Sequence, residues 1–246
     1  MSPEVYGSHS LRSWPALLRD LPARICAVLL PPRCLLCGEP GDDGRDLCAA
    51  CHRALPRNHC ACPRCAIPLA VPGTCGHCLR KAPPLQATWA SFVYAPPVDR
   101  LLARYKFHHD LAAGRLLAGL MLPALADAER PQALVPVPLH SSRLRRRGYD
   151  QALELARPLA RATGLPLAEG VLLRQRRTEA QSELGALARR RNLRGAFVVR
   201  GGRPLPAHVA LVDDVMTTGA TLHAAALALR RAGVARVDAW ICARTP

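Results

Sequence analysis

Two adjacent carboxylates, Asp213 and Asp214, follow the apolar run "VALV" (209–212) and precede "VMTTGAT" (215–221). A carboxylate accepts more than one hydroxyl hydrogen bond, so paired acids suit the neighbouring hydroxyls of a sugar. The residues after them suit a different group. Met216, Thr217, Thr218, Gly219, Ala220 and Thr221 read as the turn from a strand into a helix. Amides at a helix start are unpaired and partly positive, which favours a phosphate. Gly219 lets backbone approach an anion, and Thr217, Thr218 and Thr221 add hydroxyl donors. A carboxylate beside a phosphate would repel it, so the acids must face another part of the same ligand, and a phosphorylated sugar fits both. A single Asp here could be a simple helix N-cap; two acids and four phosphate-compatible residues exceed that role. Neither G-x-x-x-x-G-K-[ST] nor G-x-G-x-x-G occurs, so this is not a Walker or dinucleotide loop.

The second chemistry is that of thiolates. Ten of the eleven cysteines fall between 26 and 78, Cys242 being the exception. Eight of them form Cys-x-x-Cys pairs: Cys34/Cys37, Cys48/Cys51, Cys62/Cys65 and Cys75/Cys78. Two such knuckles complete a tetrahedral four-sulfur Zn²⁺ shell, so the spacing predicts two zinc ribbons, with Gly/Pro-rich excursions between knuckles. Sequential pairing is the default. Interleaved pairing stays open, and His52, His59, Cys60 and His77 are near enough to substitute as ligands. Disulfides would need an oxidising compartment, for which the sequence carries no signal, and a redox dithiol would need one pair rather than four. A four-thiolate shell leaves no position for water or substrate, so these ions are structural. The segment is poor in large apolar residues, and metal must supply its fold.

The elements that position these groups read as an N-terminal helical segment (1–33), a double zinc-ribbon module (34–81) and an α/β domain (82–246). In the last, strands are expected at 88–94, 133–139, 208–212 and 237–243. Helices are expected at 98–106, 111–128, 150–164 (with a kink or break at Pro158) and 219–232. The strands are continuous apolar runs without alternation, the pattern of a parallel sheet covered by helices on both faces. Ligands of such sheets bind at the carboxyl ends of the strands, which places Asp213 and Asp214 at the functional edge. Lys+Arg total 34 against 18 Asp+Glu, a net charge of +16. That favours a phosphate-bearing partner, although nearly every strong base is arginine, so compositional drift explains part of it. No run reaches the roughly 18 apolar residues of a membrane span, and no signal peptide is legible, so a cytoplasmic protein is expected. Residues 14–30 read as a short amphipathic helix.

"LVDDVMTTGAT" resembles the 5-phosphoribosyl-1-diphosphate (PRPP) motif of type I phosphoribosyltransferases. With the cysteine module, "VPVPLHSSRLRRRGYDQALELA" and "RRTEAQSELGALARRRNLRGAF", residues 30–246 resemble the ComF family, the competence protein F group. The resemblance implies a type I phosphoribosyltransferase-like sheet behind the ribbons. It implies that Asp213 and Asp214 hold the ribose hydroxyls and Thr217 to Thr221 the 5-phosphate, with Val137, Pro138 and Leu139 near the diphosphate. Arg147, Gly148, Tyr149 and Gln151 match one family segment, in which Asp150 stands where asparagine is usual. Arg177, Thr178, Gln181, Leu184, Arg189 and Asn192 match another. Lys106, one of only two lysines with Lys81, falls where the family has a lysine and would contact the diphosphate or a mobile loop; a snorkelling surface lysine is the alternative.

The chemistry so implied is displacement of diphosphate from the anomeric carbon. Mg²⁺ would be held mainly by the ligand's own oxygens. Asp213 or Asp214 would stabilise the ring cation, and Arg147 and Lys106 the leaving group. The acceptor has no legible signature. The resemblance also associates the chain with DNA uptake in natural transformation, alongside helicase and DNA-processing partners. The alternative is therefore an accessory protein that binds a nucleotide or single-stranded DNA without turnover. Arginine runs at 143–147, 174–177 and 189–194 suit a DNA backbone, but few aromatics are present for base stacking.

Overall fold

The computed structural model describes residues 31–108, 110–175, 195–202 and 204–246. Two short helices, α1 (Ala49–Arg53) and α2 (Gly76–Arg80), lie in the cysteine-rich region. Then come β1 (Thr88–Val93), α3 (Val98–Phe107) and α4 (Leu111–Met121), the last continuing as a 3₁₀ turn over Leu122–Leu125. β2 (Ala133–Pro136), α5 (Ser141–Arg147), α6 (Gln151–Thr163) and the short strands β3 (Leu172–Arg174) and β4 (Phe197–Val199) follow. β5 (His208–Met216), α7 (Ala220–Arg231) and β6 (Arg236–Arg244) complete the order.

Four strands form one parallel sheet in the order β1-β6-β5-β2. β6 is central and buried along nearly its whole length, as an unalternating apolar strand between two helix layers must be. Pro136 is tolerated because β2 is an edge strand, where a missing N–H costs no ladder bond on the open side. β3 and β4 form a separate antiparallel pair, and β4 packs on α7.

The sheet separates two apolar cores, and each ribbon joins one of them. Cys34, Leu47 and Leu55 pack with Phe92 and the buried faces of α3, α4 and α6. Cys62, Cys65, Cys78 and Leu85 pack on the opposite side with Leu211, Ile241 and α7. The segment between the ribbons also covers the open edge of β1: the Asn58 amide donates to Ser91 O (3.1 Å) and the Val93 amide to Pro56 O (2.8 Å). An edge strand so covered is not left as a template for another chain.

Several boundaries differ from the sequence expectation for identifiable reasons. The helix expected to reach residue 128 leaves α-geometry at Leu122, because Pro123 has no amide to continue the ladder. The break or kink expected at Pro158 does not end α6, which runs through to a left-handed cap at Gly164. Proline removes one helical bond there, while buried Leu155, Ala156 and Leu159 anchor the helix on both sides of it. β5 runs on beyond residue 212 to Met216, so the acid pair belongs to the strand itself. α5, β3 and β4 were not foreseen, since two of them are three-residue strands and the third is an arginine-rich run with little apolar periodicity. The helix expected at 14–30 lies outside the described residues.

Candidate functional site

The eight paired cysteines gather as Cys34, Cys37, Cys48 and Cys51, and as Cys62, Cys65, Cys75 and Cys78. Within each set the sulfurs lie within 4.8 Å of one another. Cys37 Sγ and Cys48 Sγ are 3.7 Å apart, as are Cys65 Sγ and Cys75 Sγ. That is the edge of a tetrahedron with zinc–sulfur bonds of about 2.3 Å, and far too long for a disulfide of about 2.05 Å. Local amides prepare the thiolates. Burial pushes the Cys34 thiol up, but the amides of Cys48, Cys37 and Leu36 outweigh it and bring it down to about 6. Cys62 comes down to about 7 in the same way, through the amides of Cys75, Arg64 and Cys65. Burial and neighbouring sulfurs push Cys51 and Cys78 up. Four thiolates this close need a divalent cation among them, so the donor set fits zinc in both ribbons. His52, His59, Cys60 and His77 belong to neither cluster.

The second ribbon is tied to the end of the sheet by Arg244. This buried guanidinium donates to Cys65 O (3.0 Å) and Met216 O (3.2 Å). Burial pushes its pKa down, while the Cys65, Cys75 and Cys78 sulfurs hold it up. The charge of the ribbon and that of Arg244 therefore stabilise each other next to the turn that follows β5.

At the carboxyl end of β5, Asp213 is half-buried and Asp214 buried. Successive strand residues face opposite sides of a sheet. Asp214 meets α3, where its Oδ2 takes a 3.0 Å ion pair from Lys106 Nζ. Asp213 accepts from the Asp214 amide (2.9 Å) and bears electrostatically on Arg174 of β3. Burial first, then the charge of Asp214, pushes the Asp213 carboxyl up to about 8. Asp213 therefore keeps its proton through neutral pH, beside an Asp214 that is ion-paired with Lys106.

The turn follows at once. Thr217 and Thr218 are exposed, and Gly219 is the N-cap of α7 at φ +74°. Thr218 Oγ1 accepts from the Ala220 amide (3.4 Å), and Thr221 lies in the first turn of α7. A Cβ on Gly219 would stand 2.4 Å from Met216 Cε and 3.1 Å from His223 Nε2. Gly219→Ala is therefore expected to destabilise by about 1–2 kcal/mol from the left-handed backbone alone. Thermal melting should show a loss of roughly 2–4 °C for each kcal/mol; an unchanged midpoint would mean that the turn relaxes freely.

The loop after β2 lies beside the acids. The Val137 amide donates to Val212 O (3.0 Å), one residue before Asp213. Two residues on, the Leu139 amide donates to Asp150 Oδ2 (2.9 Å), and Asp150 Oδ1 takes the Leu153 amide (3.2 Å) as N-cap of α6. Asp150, which stands where the resembled family usually has asparagine, is thus a cap that fixes the 137–139 loop. Its place directly before the amphipathic run "QALELA" was the signal for that role. Lys106 lies against Asp214. Arg147 stacks on the Phe107 ring, its guanidinium carbon 5.6 Å from the centroid. Tyr149 and Gln151 are both engaged with Tyr105: the Tyr149 hydroxyl donates to Tyr105 O, and the Tyr105 hydroxyl to Gln151 O. Arg174, read as part of a basic run, was missed as a site residue; it is pushed down by burial and the nearby Arg143 charge and stacks on Phe197. Arg177, Thr178, Gln181, Leu184, Arg189 and Asn192 lie outside the described residues.

These features define an α/β protein whose parallel sheet carries an acid pair at its carboxyl edge and is flanked by two four-cysteine ribbons. The double zinc ribbon domain family matches residues 25–79. DNA utilization protein YhgH of Salmonella typhimurium is 37% identical over 229 residues, covering 89% of this chain and 99% of that protein. Competence protein F of Haemophilus influenzae is 35% identical over 227 residues, 86% of this chain and 96% of that protein. Competence protein ComFC of Streptococcus pneumoniae is 28% identical over 155 residues, 63% of this chain and 67% of that protein. The chain belongs to the ComF family of competence and DNA utilization proteins. No helix among the described residues is long and apolar enough to cross a membrane.

Proposed function

We propose that the chain binds PRPP at the carboxyl end of β5, acts as a phosphoribosyltransferase, and serves DNA uptake or utilization, as the names of its relatives suggest. The observation that carries this reading is the order of groups at one sheet edge: Asp213 and Asp214, then Thr217 and Thr218, then Gly219 opening α7 in a left-handed conformation. The acids take the ribose hydroxyls, while the α7 amides and Thr217 to Thr221 take the 5-phosphate. Val137 and Pro138 lie along the diphosphate. Once hydroxyls occupy Asp214, Lys106 is released from its ion pair and turns to the leaving group.

The donor set fits magnesium brought in on the ligand's oxygens. Asp213 holds its proton to about 8 and Asp214 is paired with Lys106, which leaves few free hard-oxygen ligands on the protein. Magnesium supplies charge neutralisation of the diphosphate. As an acceptor nucleophile bonds to the anomeric carbon and diphosphate leaves, Asp214, freed of Lys106, stabilises the positive charge growing on the ring, Asp213 holds a ribose hydroxyl, and Lys106 and Arg147 stabilise the departing anion.

Calorimetric titration with PRPP and Mg²⁺ tests the binding, and diphosphate release with and without cell extract tests turnover. Saturable binding that Asp214→Asn weakens by about tenfold or more, with extract-dependent release that the same change abolishes, is the expected result. A second reading, a DNA-binding accessory protein without turnover, is favoured by the net charge of +16 and by α5, whose sequence "SSRLRRR" carries no acid. Salt-sensitive DNA binding that survives both Asp213→Asn and Asp214→Asn, with no diphosphate release, would select it.

A further inference from the structure

A cavity of about 300 Å³ lies where the second ribbon, the linker after it and one flank of α7 meet. Its lining separates by chemistry. Pro83, Pro84 and Leu227 give apolar walls; Leu227 is 44% exposed, whereas Leu222 and Leu229 of the same helix are buried. Lys81 and Arg231 supply two permanent cations, and His77 and His223 two imidazoles. No carboxylate lines the cavity among the described residues. Neither the Lys81 ammonium nor the Arg231 guanidinium has a hydrogen bond or ion pair among the described residues, whereas Arg104, Arg157 and Arg236 all engage acids.

We propose that this cavity is a binding site for a small organic anion: an apolar body seated on Leu227 and the proline pair, with one acidic group held between Lys81 and Arg231. The chemistry follows from the lining. An uncharged apolar ligand would leave two cations facing its rim unmatched, and a bare inorganic anion would leave the apolar walls wet. The volume is at the small end of ligand sites, and a junction between two modules is where such sites form. The site is separate from the acid pair yet touches its turn. His223, which lines the cavity, donates its amide to Gly219 O (2.9 Å), and its ring lies 3.1 Å from where a Gly219 Cβ would stand. An occupant therefore presses on the residue that backs the 217–219 turn.

The test uses the full zinc-loaded chain and 1-naphthalenesulfonate as probe, titrated by calorimetry, with uncharged naphthalene-1-sulfonamide in parallel. One sulfonate is expected to bind per chain, and the sulfonamide much more weakly. The double variant Lys81→Gln/Arg231→Gln should lose roughly tenfold in sulfonate affinity, because two exposed charge contacts are removed. Leu227→Ser should weaken both probes. Lys81, Leu227 and Arg231 are exposed, so the variants should keep zinc content and melting temperature, which are measured alongside. Absence of saturable sulfonate binding to the native chain overturns the proposal. So does unchanged affinity in the double variant, which would mark the probe as adhering elsewhere.

Discussion

Removing zinc from the chain with a strong chelator is expected to unfold residues 34–81 and to loosen both cores of the sheet domain. Structural zinc contributes on the order of 10 kcal/mol per site in isolated fingers, comparable to the 5–15 kcal/mol that holds an ordinary domain together. Little else in the ribbons compensates. Beyond the cysteines, the fully buried large side chains among described residues 34–85 are few, chiefly Leu47, Leu55 and Leu85. The effect should not stop at the ribbons, because Leu47 and Leu55 cover Phe92 on one side of the sheet and Leu85 joins Ile241 and α7 on the other. A second path is electrostatic. With zinc withdrawn, the Cys65 and Cys78 thiols, which burial pushes up, take up protons, and Arg244 then stays buried without the sulfur charge that balances it, still bonded to Met216 O beside the 217–221 turn. Hydrogen exchange should therefore rise first in 34–81, and next at β1 and at the carboxyl ends of β5 and β6. Chelated protein proved free of zinc but still fully protease-resistant over 34–81 would overturn this account.

What sequence could and could not show follows from which interactions are local. The ribbons were legible because a metal shell imposes fixed spacing: all eight cysteines of the four knuckles lie in the two clusters. The parallel sheet was legible because strands buried on both faces lose their alternation, as "ALVP" and "DAWICA" did. The acid pair and turn were legible as types in order. Their partners were not. Lys106 reaches Asp214 across 108 positions of sequence, and nothing local to "YKF" says so. Arg174 reaches the neighbourhood of Asp213 from a three-residue strand too short to show a period. That Arg244 joins the ribbon to the sheet likewise depends on tertiary contact between residues 65 and 244.

Asp213→Asn is expected to make the unliganded chain more stable and, at the same time, worse at binding. The Asp213 carboxyl titrates near 8 in the folded chain, raised first by burial and then by Asp214, against about 3.9 when unfolded. Between those values the folded chain holds a proton that the unfolded chain has lost. Stability therefore falls as pH rises through this window, and the full cost is present above about 8. Asparagine is neutral throughout and can still accept the Asp214 amide through Oδ1. The variant should match the parent near pH 4 and exceed it increasingly toward pH 8 and above, by about 1–2 kcal/mol, the usual gain when a functional group held at a cost is removed. Binding should move the other way. Above about pH 8, where Asp213 is ionised, losing a charged acceptor for a ribose hydroxyl costs about 1.5–3 kcal/mol, or roughly ten- to a hundredfold in PRPP affinity. A residue kept for structure loses stability when changed; one kept for a ligand gains it and loses the ligand. Urea denaturation at several pH values, with PRPP titration of the same variant, separates the two. If the asparagine chain is less stable than the parent at pH 8, Asp213 is a structural acid, and the sugar-phosphate reading of this sheet edge fails with it.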